Sequence, residues 1–143
     1  MKRFFLSLIL IIVFTGVAFG HSAMNRFWGE VPVDMLLTGD VLIVKPLVVP
    51  EDVTLTIEPG TVVRFEKSKG GTNGIVVKGN LVASGTKEKP IRFIPKDATS
   101  GPWYGIEFKE TAKGRVERCE FTGATAGIKD TAKRAVVKDV TFR

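Results

Sequence analysis

The sequence has almost no cysteine and almost no histidine, the residues on which disulfides, imidazole or thiolate metal sites and thiol catalysis depend. Its 143 residues include one cysteine, Cys119, and one histidine, His21. A single cysteine excludes an intramolecular disulfide, so stability must come from packing and hydrogen bonds. A single histidine excludes a copper site built on two imidazoles. The alternation Cys119-Glu120-Phe121 places the thiol on the inward side of a strand with Phe121, where it is a poor nucleophile.

The first twenty residues are typical of a secretory signal peptide. Lys2 and Arg3 precede an apolar run from Phe4 to Ile12 that continues to Phe14, and small residues follow. Ala18 and Gly20 are spaced like a cleavage site, which predicts a mature chain from His21. Gly16 and Ala18 offer a second site, with a start at Phe19; that start would place His21 third, where its nitrogens could hold copper or nickel. The alternative is an uncleaved membrane anchor, although the run is short for a bilayer span.

The most informative stretch is Val53 to Phe65, reading VTLTIEPGTVVRF. Its first half alternates apolar and polar residues with the period of two that a half-buried strand requires. Pro59-Gly60 then supplies the fixed φ and the positive φ of a type II turn, after which a second alternating segment begins. This pattern predicts two short strands joined by a bend.

Similar apolar pairs recur along the chain and align in two columns. Equivalent side chains stack directly in a parallel coil, so such columns predict a continuous core that no single repeat could bury. We expect a third face from Ile75-Val76-Val77. The first column comprises Leu55/Ile57, Leu81/Ala83, Ile106/Phe108 and Ile128, and the second comprises Val63/Phe65, Ile91/Phe93, Cys119/Phe121 and Val140/Phe142.

The beginning of the mature chain is interpreted as a cap. A terminal coil has no neighbour on its outer side, so large aromatic residues are needed to cover the core there. Phe27 and Trp28 are the candidates, and an exposed aromatic platform for sugar is the alternative. The predicted organisation is a signal peptide at residues 1–20, a cap and first coil at 21–50, and further coils at 51–143.

These segments carry a family resemblance. VTLTIEPGTVVRF, IVVKGNLVASGTKEKPIRF and WYGIEF resemble the right-handed parallel β-helix repeats of secreted and surface bacterial proteins, over Trp28 to about Ile128. The resemblance implies a short right-handed parallel β-helix of the pectate-lyase-like superfamily, many members of which act on sugars. A β-sandwich or jelly roll is the alternative fold. Fold alone does not imply an activity.

The acidic residues do not form the clusters that polysaccharide lyases and hydrolases of this architecture use. Glu51 and Asp52 are neighbours at a bend, and Glu117 and Glu120 lie around the cysteine. The Gly127-Ile128-Lys129 segment is similar to a hydrolase motif, but paired aspartates do not accompany it. We therefore expect no catalytic residue, metal site or cofactor. The expected function is an exported, non-catalytic binding or structural module; the alternative is a fragment or degenerate relative of a polysaccharide lyase or glycoside hydrolase.

Positive charge is concentrated near the carboxyl end. Residues 21–108 carry ten basic and ten acidic side chains, whereas 109–143 carry nine basic against five acidic. Lys129, Lys133, Arg134 and Lys138 are the candidate residues for binding a polyanion, such as an acidic polysaccharide or another cell-envelope component. The alternative is an edge whose charges only block strand addition.

Other expectations concern location and partners. We expect the protein in the periplasm, at the cell surface or in the medium, with no nucleic-acid partner and no membrane span after cleavage. Thr141-Phe142-Arg143 lies inside a predicted rung, and the sequence therefore predicts self-association through this C-terminal rung as a further possibility.

Overall fold

The protein is all-β in the computed structural model, which describes residues 24–131 and 133–143. The predicted signal peptide, its cleavage sites and His21 lie outside the described residues. Apart from a short 3₁₀ turn at Lys69–Gly71, the regular elements of the described chain are strands. They are β1 (Asn25–Glu30), β2 (Met35–Leu37), β3 (Asp40–Val49), β4 (Thr54–Ile57), β5 (Val62–Phe65), β6 (Gly74–Val77), β7 (Asn80–Ser84), β8 (Ile91–Pro95), β9 (Trp103–Phe108), β10 (Lys113–Glu117), β11 (Cys119–Phe121), β12 (Ala124–Asp130), β13 (Ala135–Lys138) and β14 (Thr141–Phe142).

The strands form two sheets. Sheet A has the order β12-β9-β6-β3-β5-β8-β11-β14, with β1 also paired to β3, and sheet B has the order β13-β10-β7-β4-β2. Strand β3 joins two halves of sheet A, because Asp40–Ile43 pairs with β5 whereas Leu47–Val49 pairs with β6. We call the β5 side the first half and the β6 side the second half.

All strand pairs among the described residues are parallel. Parallel neighbours cannot be joined by a two-residue hairpin, so the chain must leave each sheet before it returns. Between β4 and β12 it passes in turn through sheet B and through the first and second halves of sheet A. The antiparallel sandwich or jelly roll alternative is therefore wrong.

The inward columns of sheet B are confirmed only in part. Leu55 is paired with Leu81 and Ile57 with Ala83, as the spacing predicts. The strand that follows β7 in sheet B is β10, where Gly114 is paired with Leu81 and Val116 with Ala83. Assigning Ile106, Phe108 and Ile128 to this column was wrong. They belong to the second half of sheet A, in which Ile75, Ile106 and Ile128 are in register.

The aromatic column is also corrected in one position. Phe93, Phe121 and Phe142 are in register on adjacent strands. Phe65, however, pairs with Pro95, and Val63 takes the place opposite Phe93. Phe65 instead stacks on Trp103, with ring centroids 3.9 Å apart and planes within 3°.

The aromatic stack lies in the centre of the core. Phe65, Phe93, Trp103 and Phe121 are almost completely buried, whereas Phe142 on the last strand is 54% exposed. The Trp103 indole N–H donates to the Thr122 carbonyl at 2.7 Å, which satisfies its polar group inside an apolar region.

Of the two aromatic residues predicted to cover the core, Phe27 packs against it and Trp28 does not. Strand β1 lies beside β3 and places Phe27 opposite Ile43, where it packs against the core. Trp28 falls at an irregularity in the pairing and points outward, with 62% of its surface exposed. Within the described ranges, no helix is long and apolar enough to cross a membrane.

Candidate anion-binding surface

The outer face of sheet B carries an unusual run of basic residues. Because neighbouring residues of a strand point to opposite sides, burial of Leu81, Ala83 and Val116 directs their neighbours outward. The outward residues of β4 and β7 are uncharged. On β10 and β13 they are mostly basic. From β4 to β13 these outward positions are Thr54, Thr56, Asn80, Val82, Ser84, Lys113, Arg115, Glu117, Val136 and Lys138.

Two adjoining depressions run across this face. They share Asn80 and Lys113, and together we call them the sheet B groove. One has a volume of about 490 Å³ and is lined by Asn80, Val82, Lys113, Gly114, Arg115, Arg134 and Val136. The other, of about 360 Å³, lies over the turns and is lined by Glu51, Asp52, Val53, Thr54, Lys78, Gly79, Asn80, Thr111 and Lys113.

The turn end of the groove is fixed by hydrogen bonds between successive loops. The Thr111 hydroxyl donates to the Lys78 carbonyl at 3.0 Å and lies 3.3 Å from a Glu51 carboxylate oxygen. Glycine is required at position 79 in this turn, because a Cβ there would collide with the carbonyl oxygens of Pro50 and Val53. The groove therefore rests on a closely packed backbone.

Five basic residues on or beside sheet A are, in contrast, paired with carboxylates, although Arg26 and Lys45 form no such pair among the described residues. On the first half, Arg64 pairs with Asp40 at 2.9 Å. Two further pairs connect neighbouring strands there, Lys96 with Glu66 at 3.0 Å and Arg92 with Glu120 at 3.6 Å.

The second half of sheet A has a single acidic centre at Glu107. Lys109 lies 2.9 Å and Lys129 3.7 Å from the same carboxylate oxygen. The hydrogen bond from Lys109, with smaller contributions from both positive charges, lowers the pKa of Glu107, and that hydrogen bond likewise raises the pKa of Lys109. Lys129 is thus part of a charge cluster that already contains its counterion.

The basic residues of the sheet B groove lack such counterions. Among residues 24–131 and 133–143, Lys113 and Arg134 form no ion pair, and Arg115 has only a 3.5 Å contact with Glu117. Half of the Arg115 side chain is exposed. Positive charge is therefore available to an external anion at the β10 and β13 end of the groove, whereas Glu51 and Asp52 line its turn end.

The structure separates the four predicted polyanion residues. Arg134 lines the groove, and Lys133 precedes it in the same turn with φ of 55°. Lys138 ends β13 on the same outer face, in register with Glu117. Lys129 is on the second half of sheet A, beside Glu107. The prediction that these residues bind a polyanion stays a prediction.

Sequence reasoning missed Lys113 and Arg115. The signal that could have found them is their alternation with Gly114 and Val116, which would have aligned β10 with β7. Giving the sheet B position to Ile106 and Phe108 concealed that alignment. The register instead places Arg115 beside Val82 on one side and Val136 on the other.

The thiol of Cys119 is a buried structural group. Its sulfur lies 3.2 Å from the Glu117 carbonyl and 3.4 Å from the Ala83 carbonyl, so both can accept from the S–H. Burial raises the pKa of the Cys119 thiol to about 12, which keeps it protonated at neutral pH. Among the described residues, no three or more histidine, cysteine, aspartate or glutamate side chains gather to hold a metal ion.

A smaller apolar cavity lies near the amino-terminal end of the sheets. It has a volume of about 80 Å³ and is lined mainly by Phe27, Met35, Leu37 and Val41. It contains no charged side chain, and it is separate from the sheet B groove.

Comparisons of the chain with protein-family models, with curated proteins and with solved structures found no match. Function must therefore be inferred from the geometry and charge of the molecule itself.

Proposed function

We propose that this protein is an exported, non-catalytic binding module that holds an acidic polysaccharide of the cell envelope in its sheet B groove. The observation that carries the proposal is the unequal neutralisation of charge. Five basic side chains on or beside sheet A have carboxylate partners, whereas Lys113 and Arg134 in the groove have none among the described residues. Arg26 and Lys45 on sheet A also lack a partner among these residues, but neither lines the groove. An uncompensated cationic groove attracts and orients a polyanion.

We also propose that the chain winds as a right-handed parallel β-helix. The support is the repeated passage from sheet B to the two halves of sheet A, with each strand in parallel register with its counterpart in the next repeat. Parallel crossover connections within a sheet are right-handed in almost all proteins. Such a coil presents the outer face of sheet B as a continuous surface crossed by successive rungs.

The groove suits an extended ligand better than a compact molecule. Neighbouring parallel strands lie about 4.8 Å apart, so the four strands from β4 to β13 span roughly 14 Å. A polymer lying across the strands would meet the uncharged side chains of Thr54 and Asn80 and then Lys113 and Arg134. Glu51 and Asp52 line the turn end of the groove, so the acidic groups of the polymer are expected at the β10 and β13 end. Amide and hydroxyl groups can bond to sugar hydroxyls, while the cations bind acidic groups.

The proposal is tested by retention on an immobilised acidic polysaccharide. The protein should be retained at low salt and eluted by added salt, because exposed charges are screened beyond about 10 Å at 0.1 M. The double variant Lys113→Gln/Arg134→Gln should elute much earlier. A matched control, Lys67→Gln/Lys87→Gln, removes two exposed charges outside the groove and should shift elution only slightly.

Equal shifts in both double variants would show that net charge, rather than the groove, is responsible. The same polysaccharides should be incubated with the protein with and without calcium. Release of unsaturated or reducing ends would favour the lyase or hydrolase alternative.

Export and self-association are proposed on separate grounds. Sequencing of the released protein should give His21 as the first residue; retained Met1 would indicate a tethered protein.

Self-association is supported by Val137 and Phe142, which lie on the core side of β13 and β14 but are about half exposed. Sedimentation velocity should then show concentration-dependent association that Phe142→Glu abolishes, and a monomer at all concentrations would contradict it.

A further inference from the structure

We infer that the basic end of the sheet B groove selects a doubly charged tetrahedral group, a phosphate monoester, over a carboxylate. This inference rests on the proposed function and names the acidic group of its ligand. The residues concerned are Lys113, Arg115 and Arg134, which we call the basic triangle.

The register of sheet B brings the triangle together. Gly114 is paired with Ala135, so Lys113 on β10 lies near Arg134, the residue that precedes β13. Arg115 follows Lys113 by two residues and therefore points to the same face. All three side chains line the same 490 Å³ depression. Adjacent strands are about 4.8 Å apart, so three cations share a small area.

This arrangement is unfavourable without a ligand. Like charges directly opposite each other on neighbouring strands destabilise a sheet. The carboxylate recorded in contact with the triangle is that of Glu117, which meets Arg115 at 3.5 Å. On sheet A, three cross-strand contacts combine opposite charges, among them that of Asp40 with Arg64. The triangle differs from these contacts, because Lys113 and Arg134 have no carboxylate partner among the described residues.

A dianion matches the triangle in charge and in hydrogen-bonding capacity. A phosphate monoester carries between one and a half and two negative charges at neutral pH, with three acceptor oxygens. The arginine guanidinium donates in a planar fork that fits phosphate bidentately, and lysine adds a point charge. The Asn80 amide lines the same depression and can donate as well. A carboxylate would neutralise only one of the three cations.

The experiment compares two polymers of one backbone. Dextran carrying phosphate monoesters and carboxymethyl dextran of equal charge density are titrated into the protein, alongside inorganic phosphate, sulfate and acetate at constant ionic strength. We expect the phosphorylated dextran to bind at least about tenfold more tightly than its carboxylated counterpart, a difference of about 1.4 kcal/mol. Inorganic phosphate and sulfate should bind saturably, and acetate should not.

Variants assign the selectivity to the triangle. Lys113→Gln/Arg134→Gln should abolish it, whereas Lys113→Arg should retain it because the charge and donors are kept. The control Lys67→Gln/Lys87→Gln should also retain it. Phosphate and sulfate raise the stability of proteins in general. Only the part of the response to these ions that is lost in Lys113→Gln/Arg134→Gln therefore counts as binding to the groove.

Two outcomes overturn the inference, and they are distinguishable from failure of the proposed function. Equal binding of the two dextrans through Lys113 and Arg134 would leave an anion-binding groove without the selectivity. Selectivity that survives Lys113→Gln/Arg134→Gln would place it elsewhere. Loss of all polymer binding by the natural chain would instead contradict the proposed function.

Discussion

Replacing Phe93 with alanine tests whether the aromatic stack forms the packed core that holds the two sheets together. The Phe93 ring is fully buried, with its centroid 4.7 Å from that of Phe121 and 6.3 Å from that of Trp103. Phenylalanine to alanine in a core costs about 3–5 kcal/mol, through lost transfer free energy and the cavity left behind. That is a large part of the total stability of a small domain, about 5–15 kcal/mol.

The free energy of unfolding can be measured by urea denaturation with tryptophan fluorescence. Trp103 lies in the core and should report unfolding strongly. Trp28 is 62% exposed, so Trp28→Phe provides a background with one informative tryptophan. Phe142→Ala is the matched control, because this ring belongs to the same column but is 54% exposed. It should cost about 1 kcal/mol, mainly through its contact with Phe121.

A cost below about 1 kcal/mol for Phe93→Ala would show that this ring is not part of a packed core, because removal of a buried phenylalanine ring costs about 3–5 kcal/mol. If Phe93→Ala and Phe142→Ala lowered the free energy of unfolding equally, the result would contradict the structure, in which Phe93 is buried and Phe142 is half exposed.

Three further predictions concern a thiol, a carboxylate and a glycine. Cys119 should resist alkylation at pH 8 in the native protein and react fully in urea, since burial raises its pKa to about 12; rapid native reaction, followed by mass spectrometry, would contradict this. Glu107 has a lowered pKa, so its stabilisation is present above about pH 4.5 and lost as pH falls further; Glu107→Gln should lose less stability on acidification than the natural chain. Gly105→Ala should cost more than about 2 kcal/mol, because Gly105 has φ of 134° and a Cβ would collide with the Gly127 carbonyl; a thermally neutral variant would contradict that packing.

Local patterns in the sequence predicted which residues face inward, and they did so for a physical reason. Strand side chains alternate with a period of two, so Leu55, Ile57, Phe93 and Phe121 were recognisable as core residues without knowledge of the fold. The all-β class and the parallel stacking of repeats followed from the recurrence of such pairs.

The same period explains the two errors in alignment. A shift of two residues leaves every side chain on its face, so the 28-residue spacing of Phe65 and Phe93 could not reveal that Val63 is the partner of Phe93. Ile106 and Phe108 fit an inward pair in any strand. Only the backbone pairing assigns them to the second half of sheet A.

The groove was harder to predict because it depends on neighbours between rungs. Lys113, Arg115 and Arg134 are brought together by the pairing of β10 with β13, not by proximity in sequence. The excess of basic residues after Lys109 pointed to the correct end of the chain. It could not distinguish Lys129, which has Glu107 as a counterion, from Arg134, which lines the groove.

Binding of an acidic polysaccharide to groove variants tests the central claim most directly. The dissociation constant should be measured for the natural chain, for Lys113→Gln/Arg134→Gln and for Lys67→Gln/Lys87→Gln at low and near-physiological salt. The account predicts that the groove variant binds at least about tenfold more weakly, equivalent to about 1.4 kcal/mol, while the control stays within about threefold of the natural chain. Equal dissociation constants for the natural chain and the groove variant would contradict it.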